Sequence, residues 1–253
     1  KKNKLLRRLT AALLAAVLAL SIALPVFASD DGDTIYINSV SDLLSLARNC
    51  AYDQWSVEKT VILQKDLSLE GMLWEPIPSF SGQFKGNGHT ISDLTITGQY
   101  SPAGLFGIVE EQGSIESLSV RGVVSVSDSA DTTTGGIVGI NHGTLISCQF
   151  TGVVTGDSEV GGIVGRNESE GTIDHSTARA IVTGKSSTGG IAGYNLGAIT
   201  GCTNVGSINT EYQEASLDTD GFTAKMVDQI NNKMAAADDD ATNSVTNVAT
   251  DTG

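Results

Sequence analysis

Three side chains have the types and the spacing to build a metal or acid–base site: Glu110, His142 and Glu168. Each stands seven residues beyond an equivalent position, Ala103, Gly135 and Gly161 respectively. If those positions share one edge of the fold, two carboxylates flank an imidazole. Such a trio can hold a divalent cation or raise the histidine pKa. The fourth equivalent residue is Leu196, and the segments differ by two inserted residues, so the register stays open. A charge cluster on a turn is ordinarily a solvated face, and that is the competing expectation. His89 follows the turn signal Gly86-Asn87-Gly88 and reads as a turn-flanking structural histidine. No catalytic and no cofactor-binding residue is assigned.

Several chemistries are excluded by pattern. There is no His-Glu-x-x-His zinc motif, and no glycine run ends in Lys-Ser/Thr as a phosphate loop requires. A polysaccharide-acting site needs Asp, Lys or Arg residues converging on one face. Arg121, Arg166, Arg179 and Lys185 fall at different repeat positions instead, and no aspartates are paired. Cys148 and Cys202 occupy the same column two repeats apart, about 9.6 Å if each repeat rises one strand spacing. That is beyond disulfide reach, and with Cys50 all three read as small buried apolar residues.

The element that must position these residues is written three times: Gly135-Gly-Ile-Val-Gly-Ile-Asn141, Gly161-Gly-Ile-Val-Gly-Arg-Asn167 and Gly189-Gly-Ile-Ala-Gly-Tyr-Asn195. A looser copy runs from Ala103 to Val109. The copies lie 32, 26 and 28 residues apart. After each comes a Gly-x-apolar step ending at Ile115, Leu145, Ile173 or Ile199. Leu118, Cys148, Ser176 or Cys202 follows, and then a run closed by Val124, Val154, Val182 or Ile208. The runs are short, alternate apolar and polar residues, and are rich in Val, Ile and Thr. Each repeat is expected to supply three short strands and three turns. Such a unit cannot bury an apolar face alone, but stacked copies make a continuous core. Asn141, Asn167 and Asn195 then form a column whose amides can hydrogen-bond along the axis.

The pattern Gly-Gly-Ile-Val-Gly-x-Asn-x-Gly-Thr-Ile-x-x-Cys followed by Gly-x-Val resembles the GLUG repeat of exported bacterial proteins, over about residues 80–208. The copy at Ala103 departs at the first glycine and at the asparagine. The resemblance implies a right-handed parallel β-helix and a surface address. It is found in surface proteins and in non-catalytic N-terminal regions of some immunoglobulin A-cleaving metallopeptidases. It implies no catalytic residue. The Phe84-x-Gly86-x-Gly88-His89-x-Ile91 stretch is similar to the entry coil of many right-handed β-helices, pectin-degrading enzymes among them.

Residues 1–28 read as a signal peptide. Lys1, Lys2, Lys4, Arg7 and Arg8 precede a largely apolar run from Leu9 to Val26, and Val26-Phe27-Ala28 fits cleavage before Ser29. A membrane anchor is the alternative, disfavoured by Pro25. The whole chain carries a net charge of −14; removing the segment leaves ten basic against 29 acidic residues, a charge of −19. That argues against nucleic acid and anionic lipid as partners. Residues 29–58 are expected to hold an acidic leader and a capping helix over 40–50, with Ser39 and Asp42 as its N-cap signature. Asp30, Asp31 and Asp33 could hold calcium, but a solvated tail is expected. Trp74, Ile77 and Phe80 are placed in a loop beside Pro76 and Pro78.

The β-helix is expected over 59–208. Residues 209–253 turn acidic, with Phe222, Met226, Val227, Ile230 and Met234 on one helix face. Asp251-Thr252-Gly253 matches the approach to two repeats, Thr133-Thr134-Gly135 and Ser187-Thr188-Gly189. This predicts a fragment cut at another repeat, with the acidic segment as an insertion.

The reading is therefore an all-β protein: a right-handed parallel β-helix or solenoid with an N-terminal capping helix and a partly helical acidic C-terminal insertion. Its expected role is a non-catalytic, secreted or cell-surface module for adhesion, binding or spacing. A host or matrix protein or a glycan is the expected partner, with no stable membrane span after signal cleavage. The alternatives are a polysaccharide-acting lyase or glycosidase, and the non-catalytic front of a larger secreted peptidase.

Overall fold

The computed structural model describes residues 33–52, 54–126 and 132–209. The signal-peptide segment, most of the acidic leader and residues 210–253 lie outside the described residues. All that follows concerns the unit beginning at Thr34.

The chain winds as a parallel β-solenoid of about six turns. Its first face stacks seven strands in chain order: Thr34–Ile37, Thr60–Leu63, Gln83–Lys85, Ser114–Glu116, Thr144–Ile146, Thr172–Asp174 and Ala198–Thr200. A second, long face stacks Leu67–Ser68, Thr90–Gly98, Ser119–Val126, Gln149–Thr155, Thr177–Thr183 and Thr203–Asn204, with Ser207–Ile208 also on Thr177–Thr183. A third, the asparagine face, holds Ile77–Phe80, Phe106–Val109, Val138–Asn141, Val164–Asn167 and Ala192–Asn195. A short corner sheet joins Thr134–Gly135, Val160–Gly161 and Thr188–Gly189.

Alternation along each strand sends one set of side chains inward, and stacking turns that set into columns. On the first face Ile35, Val61, Phe84, Ile115, Leu145, Ile173 and Ile199 are paired in unbroken register. The five between the ends are fully buried. Ile137, Ile163 and Ile191 share a stack as well: the Ile137 N–H donates to Ile163 O and the Ile163 N–H to Ile191 O, both at 3.0 Å. The wide residues gather in the early turns, where Phe106 meets Phe80 and Phe84 with ring centroids 5.4 Å apart. Later turns narrow through Ala178, Ala180 and Ala192, all buried.

Three expectations need correction. The sheet starts at Thr34, not at 59: Thr34–Ile37 pairs residue for residue with Thr60–Leu63. Four residues without a flanking glycine gave too short a pattern to separate from the leader. Each close repeat holds four strands rather than three, because the first glycine of each pair continues a two-residue strand. Ile77–Phe80 is a strand, not a loop, with Ile77 and Phe80 fully buried. It is the terminal strand of its face, and the Ile77 N–H donates to Leu105 O. Alternation turns the position of Pro78 to the unpaired side, where a missing N–H costs nothing.

The helix α1 spans Val40–Asn49. The Ser39 hydroxyl accepts from the Asp42 N–H at 3.2 Å, and the Asp42 carboxylate accepts from the Asn38 N–H at 2.9 Å. The Asn38 N–H first, and the Ser39 hydroxyl second, hold the Asp42 carboxyl below its ordinary value. Leu43 and Leu46 are buried in the common core, and α1 packs on Thr34–Ile37 and Ile77–Phe80. It therefore lies against the strand that begins the asparagine face.

The second glycine of each pair is required by close approach. A Cβ on Gly162 would stand 2.2 Å from Gly190 O and 2.9 Å from the Ala178 Cβ. Backbone cannot move aside as a side-chain tip can, so Gly162→Ala is expected to cost about 3 kcal/mol, the upper end of overpacking penalties. Denaturant melts of the two proteins measure this, and an unchanged midpoint would show that the turns separate freely.

Candidate functional site

The most organised polar feature is the asparagine column. Val138–Asn141 pairs with Val164–Asn167, which pairs with Ala192–Asn195, so the three asparagines are in register. Asn141 Nδ2 donates to Asn167 Oδ1 at 2.7 Å, and Asn167 Nδ2 donates to Asn195 Oδ1 at 2.8 Å. Each amide also closes its own turn, with Nδ2 donating to the carbonyl of Gly143, Gly171 or Gly197. Asn141 and Asn167 are fully buried. A buried amide is tolerated only when its donors and acceptors are met, and stacking meets them. The column starts only at Asn141: its register partners in earlier turns are Val109 and Phe80.

Glu110, His142 and Glu168 follow that column directly, and the backbone does bring them into one register. Their N–H groups donate to the carbonyls of Phe80, Val109 and Asn141 at 2.9, 2.8 and 2.8 Å. Their side chains diverge. Glu110 Oε1 accepts from the Ser79 hydroxyl at 2.7 Å. Glu168 Oε1 lies 3.1 Å from Arg166 Nε, while Arg166 also reaches Glu159 at 3.4 Å and stacks 5.0 Å over the Tyr194 ring. Near His142, the Ser169 hydroxyl first and the Glu170 N–H second hold the Glu170 carboxyl below its ordinary value, with a smaller contribution from His142. Among the described residues, no three His, Cys, Asp or Glu side chains are arranged to hold a metal ion.

His89 pins one turn to the turn before it. Its Nδ1 lies 3.1 Å from Asp66 Oδ1, which also accepts from the Thr90 N–H at 2.9 Å. That N–H first, and His89 second, keep the Asp66 carboxyl low. Nearby, Asp93 sits at φ 61° in a bulge between Ile91 and Leu94 and accepts from the Ser68 and Ser92 hydroxyls. Sequence reading singled out neither aspartate, since each lies outside the repeat columns. An open cleft of about 410 Å³ is lined by Gln54, Val57, Ser79, Ser81, Glu110, Glu111 and Gln112. Its lining offers amides, hydroxyls and carboxylates, among them the Ser79 hydroxyl already bonded to the Glu110 carboxylate.

The cysteines are free and buried. Ser176 separates Cys148 from Cys202: its hydroxyl accepts from the Cys148 N–H at 3.1 Å, and its own N–H reaches Cys202 Sγ at 3.4 Å. Burial pushes the Cys148 thiol up to about 12 and the Cys50 thiol up to about 11.

Comparison with known proteins adds a family motif. The model for the GLUG motif matches residues 156–183. The chain is 30% identical over 155 residues to halomucin of Haloquadratum walsbyi, a match covering 56% of this chain and 2% of that protein. It is 28% identical over 193 residues to a protein of Evansella cellulosilytica provisionally named a Gly-rich membrane protein, covering 58% and 22% of the two chains. The chain thus spans a small part of either relative's length. Among solved structures, a provisionally named immunoglobulin A1 protease of Bacteroides ovatus aligns with 73% of this chain and 80% of its own. That alignment has 15% identity and a TM-score of 0.38.

Asn167→Ala strands the Asn141 amide donor and the Asn195 acceptor together, so it should cost about 3 kcal/mol in urea unfolding. Asn195→Ala, at the half-buried end of the column, should cost less; equal losses would show that the ladder carries no inter-turn energy. In the folded protein none of the three thiols should react with a maleimide at neutral pH, and denaturation without reductant should release all three. Because burial raises the Cys148 thiol, its linked stabilisation is full below the ordinary value of 9.0 and is lost as pH rises toward about 12.

Proposed function

We propose that this GLUG-bearing solenoid is a non-catalytic repeat module of an exported, cell-surface protein, serving adhesion, binding or spacing. The carrying observation is where the polar side chains go. The asparagines bond to the next turn, and Glu110, Glu168, Arg166 and Asp66 are engaged by neighbouring side chains or backbone. A site poised for catalysis keeps a nucleophile, base or electrophile directed at a substrate position. Here such groups hold turns together.

The rest of the chain supports the same reading. The basic and then apolar start, ending in Val26-Phe27-Ala28, has the form of an export signal. The excess of acidic residues suits a solvated exterior. A stacked core transmits force and spacing along its axis, because each turn is bonded to the next by parallel backbone ladders. The partner class is a host or matrix protein or a glycan, met on the outer faces of the strands.

Expression of the whole chain with its own N-terminal segment in a bacterium tests this reading. The expected product is outside the cytoplasm, begins at Ser29 by mass, and releases no reducing ends from acidic polysaccharides. An uncleaved cytoplasmic product, or measurable sugar release, would sink it.

A further inference from the structure

Val123, Val153 and Ile181 are paired in register on the long face. Their chain neighbours Val124, Val154 and Val182 point inward and belong to the core. Val123, Val153 and Ile181 point outward and form a separate apolar cluster. The stripe continues in register to Thr95 at one end and Ser207 at the other. Val123 is 4% exposed and Val153 is 5% exposed. An outward apolar row on a sheet is stable only when a second layer lies on it.

We infer that this stripe is the docking site of the chain's own residues 222–234. Phe222, Met226, Ile230 and Met234 recur at every fourth position, with Val227 beside them, which is one apolar helix face. A helix of that length runs about 20 Å. The stripe, from Thr95 to Ser207, spans four strand spacings, about 19 Å. The tether suffices as well. The Asn209 N–H donates to Val182 O at 2.9 Å, so the chain leaves from the long face itself. Residues 210–221 reach about 40 Å when extended.

Charge complementarity favours this occupant. Arg121 and Arg179 flank the stripe in register with Thr151. Glu211, Glu214, Asp218 and Asp220 precede the apolar face and Asp238, Asp239 and Asp240 follow it; within the face Lys225 and Lys233 outnumber Asp228, so the complementarity to the arginines lies in the two flanks. An acidic segment is thereby steered onto one of the few basic rims of the solenoid. The inference stands independently of the surface-module reading.

Thiol accessibility in the full chain tests it, with the three buried native cysteines as a silent background. Val153→Cys should label with maleimide at least about 10-fold more slowly than Leu73→Cys, a 72% exposed control. Adding Met226→Asp and Ile230→Asp should restore fast labelling. Fast labelling of Val153→Cys alone overturns the proposal, since nothing then covers the stripe. Slow labelling that survives the two aspartates also overturns it; a doubled mass by light scattering would assign the cover to a second copy. Should Val153→Cys not fold, hydrogen exchange of the unmodified chain decides. Protection of amides 222–234 above that of 241–250 supports docking, and equal exchange refutes it.

Discussion

The structure depends on one constraint: no turn of the solenoid can satisfy its own backbone. Every strand is parallel to its neighbours, so the strand N–H and C=O groups of one turn are met by the turns above and below. The buried amides of Asn141 and Asn167 likewise need the adjacent turn, which supplies one partner of each beside the carbonyl of its own turn. Stability is therefore a sum over interfaces between turns, and the first and last described turns each have one such interface where an inner turn has two. At the beginning, α1, with Leu43 and Leu46 buried in the common core, packs on the strand Ile77–Phe80, the end strand of its face among the described residues.

Stacking imposes a second demand, a cross-section that stays compatible from turn to turn. The repeats meet it by exchange of volume across the core. A Cβ on Gly136 would strike the Phe150 ring at 2.4 Å, so the large residue of that turn faces its glycine. One turn later the opposing residue shrinks to Ala178, and in the last turn it becomes Asn204, which crowds Gly190. The glycine pair is thus a packing device as much as a corner. It lets backbone press on backbone and lets the facing column vary between Phe, Ala and Asn without moving the strands.

Much of this was legible in the sequence because stacking repeats the same physical environment at a fixed interval. The isoleucine stack, the asparagine ladder and the Leu118-Cys148-Ser176-Cys202 column each recur once per turn, so each position announces its role several times. What stayed hidden occurs once or lacks a marker. Thr34–Ile37 is a single turn's strand without its glycines. Ile77–Phe80 is masked by two prolines that an unpaired edge tolerates. From the second such corner onward, the corner between the first and long faces uses a left-handed residue in five successive turns: Asn87, Ser117, Ser147, His175 and Gly201, with φ between 46° and 62°. Only asparagine and glycine in that series carry the usual signal, since serine and histidine reach this region only where neighbours hold them there.

The Glu110–His142–Glu168 trio shows why the candidate site was harder to read than the fold. Column logic places backbones, and it placed these three correctly, one residue past the asparagines. It does not place the tips of long side chains. Beyond a turn the backbone no longer dictates direction, and each charge pairs with the nearest opposite or hydrogen-bonding group. For Glu110 that is Ser79 of the preceding turn, and for Glu168 it is Arg166 of its own strand. Ser79 and Arg166 stand in one outward column with Ile108, Ile140 and Tyr194, a position that changes chemistry at every turn. An inward column changes only where facing residues of the same turn compensate its volume or its hydrogen bonds, whereas an outward column is free to differ. Repetition in a solenoid therefore predicts its core, and the chemistry of its surface has to be read one turn at a time.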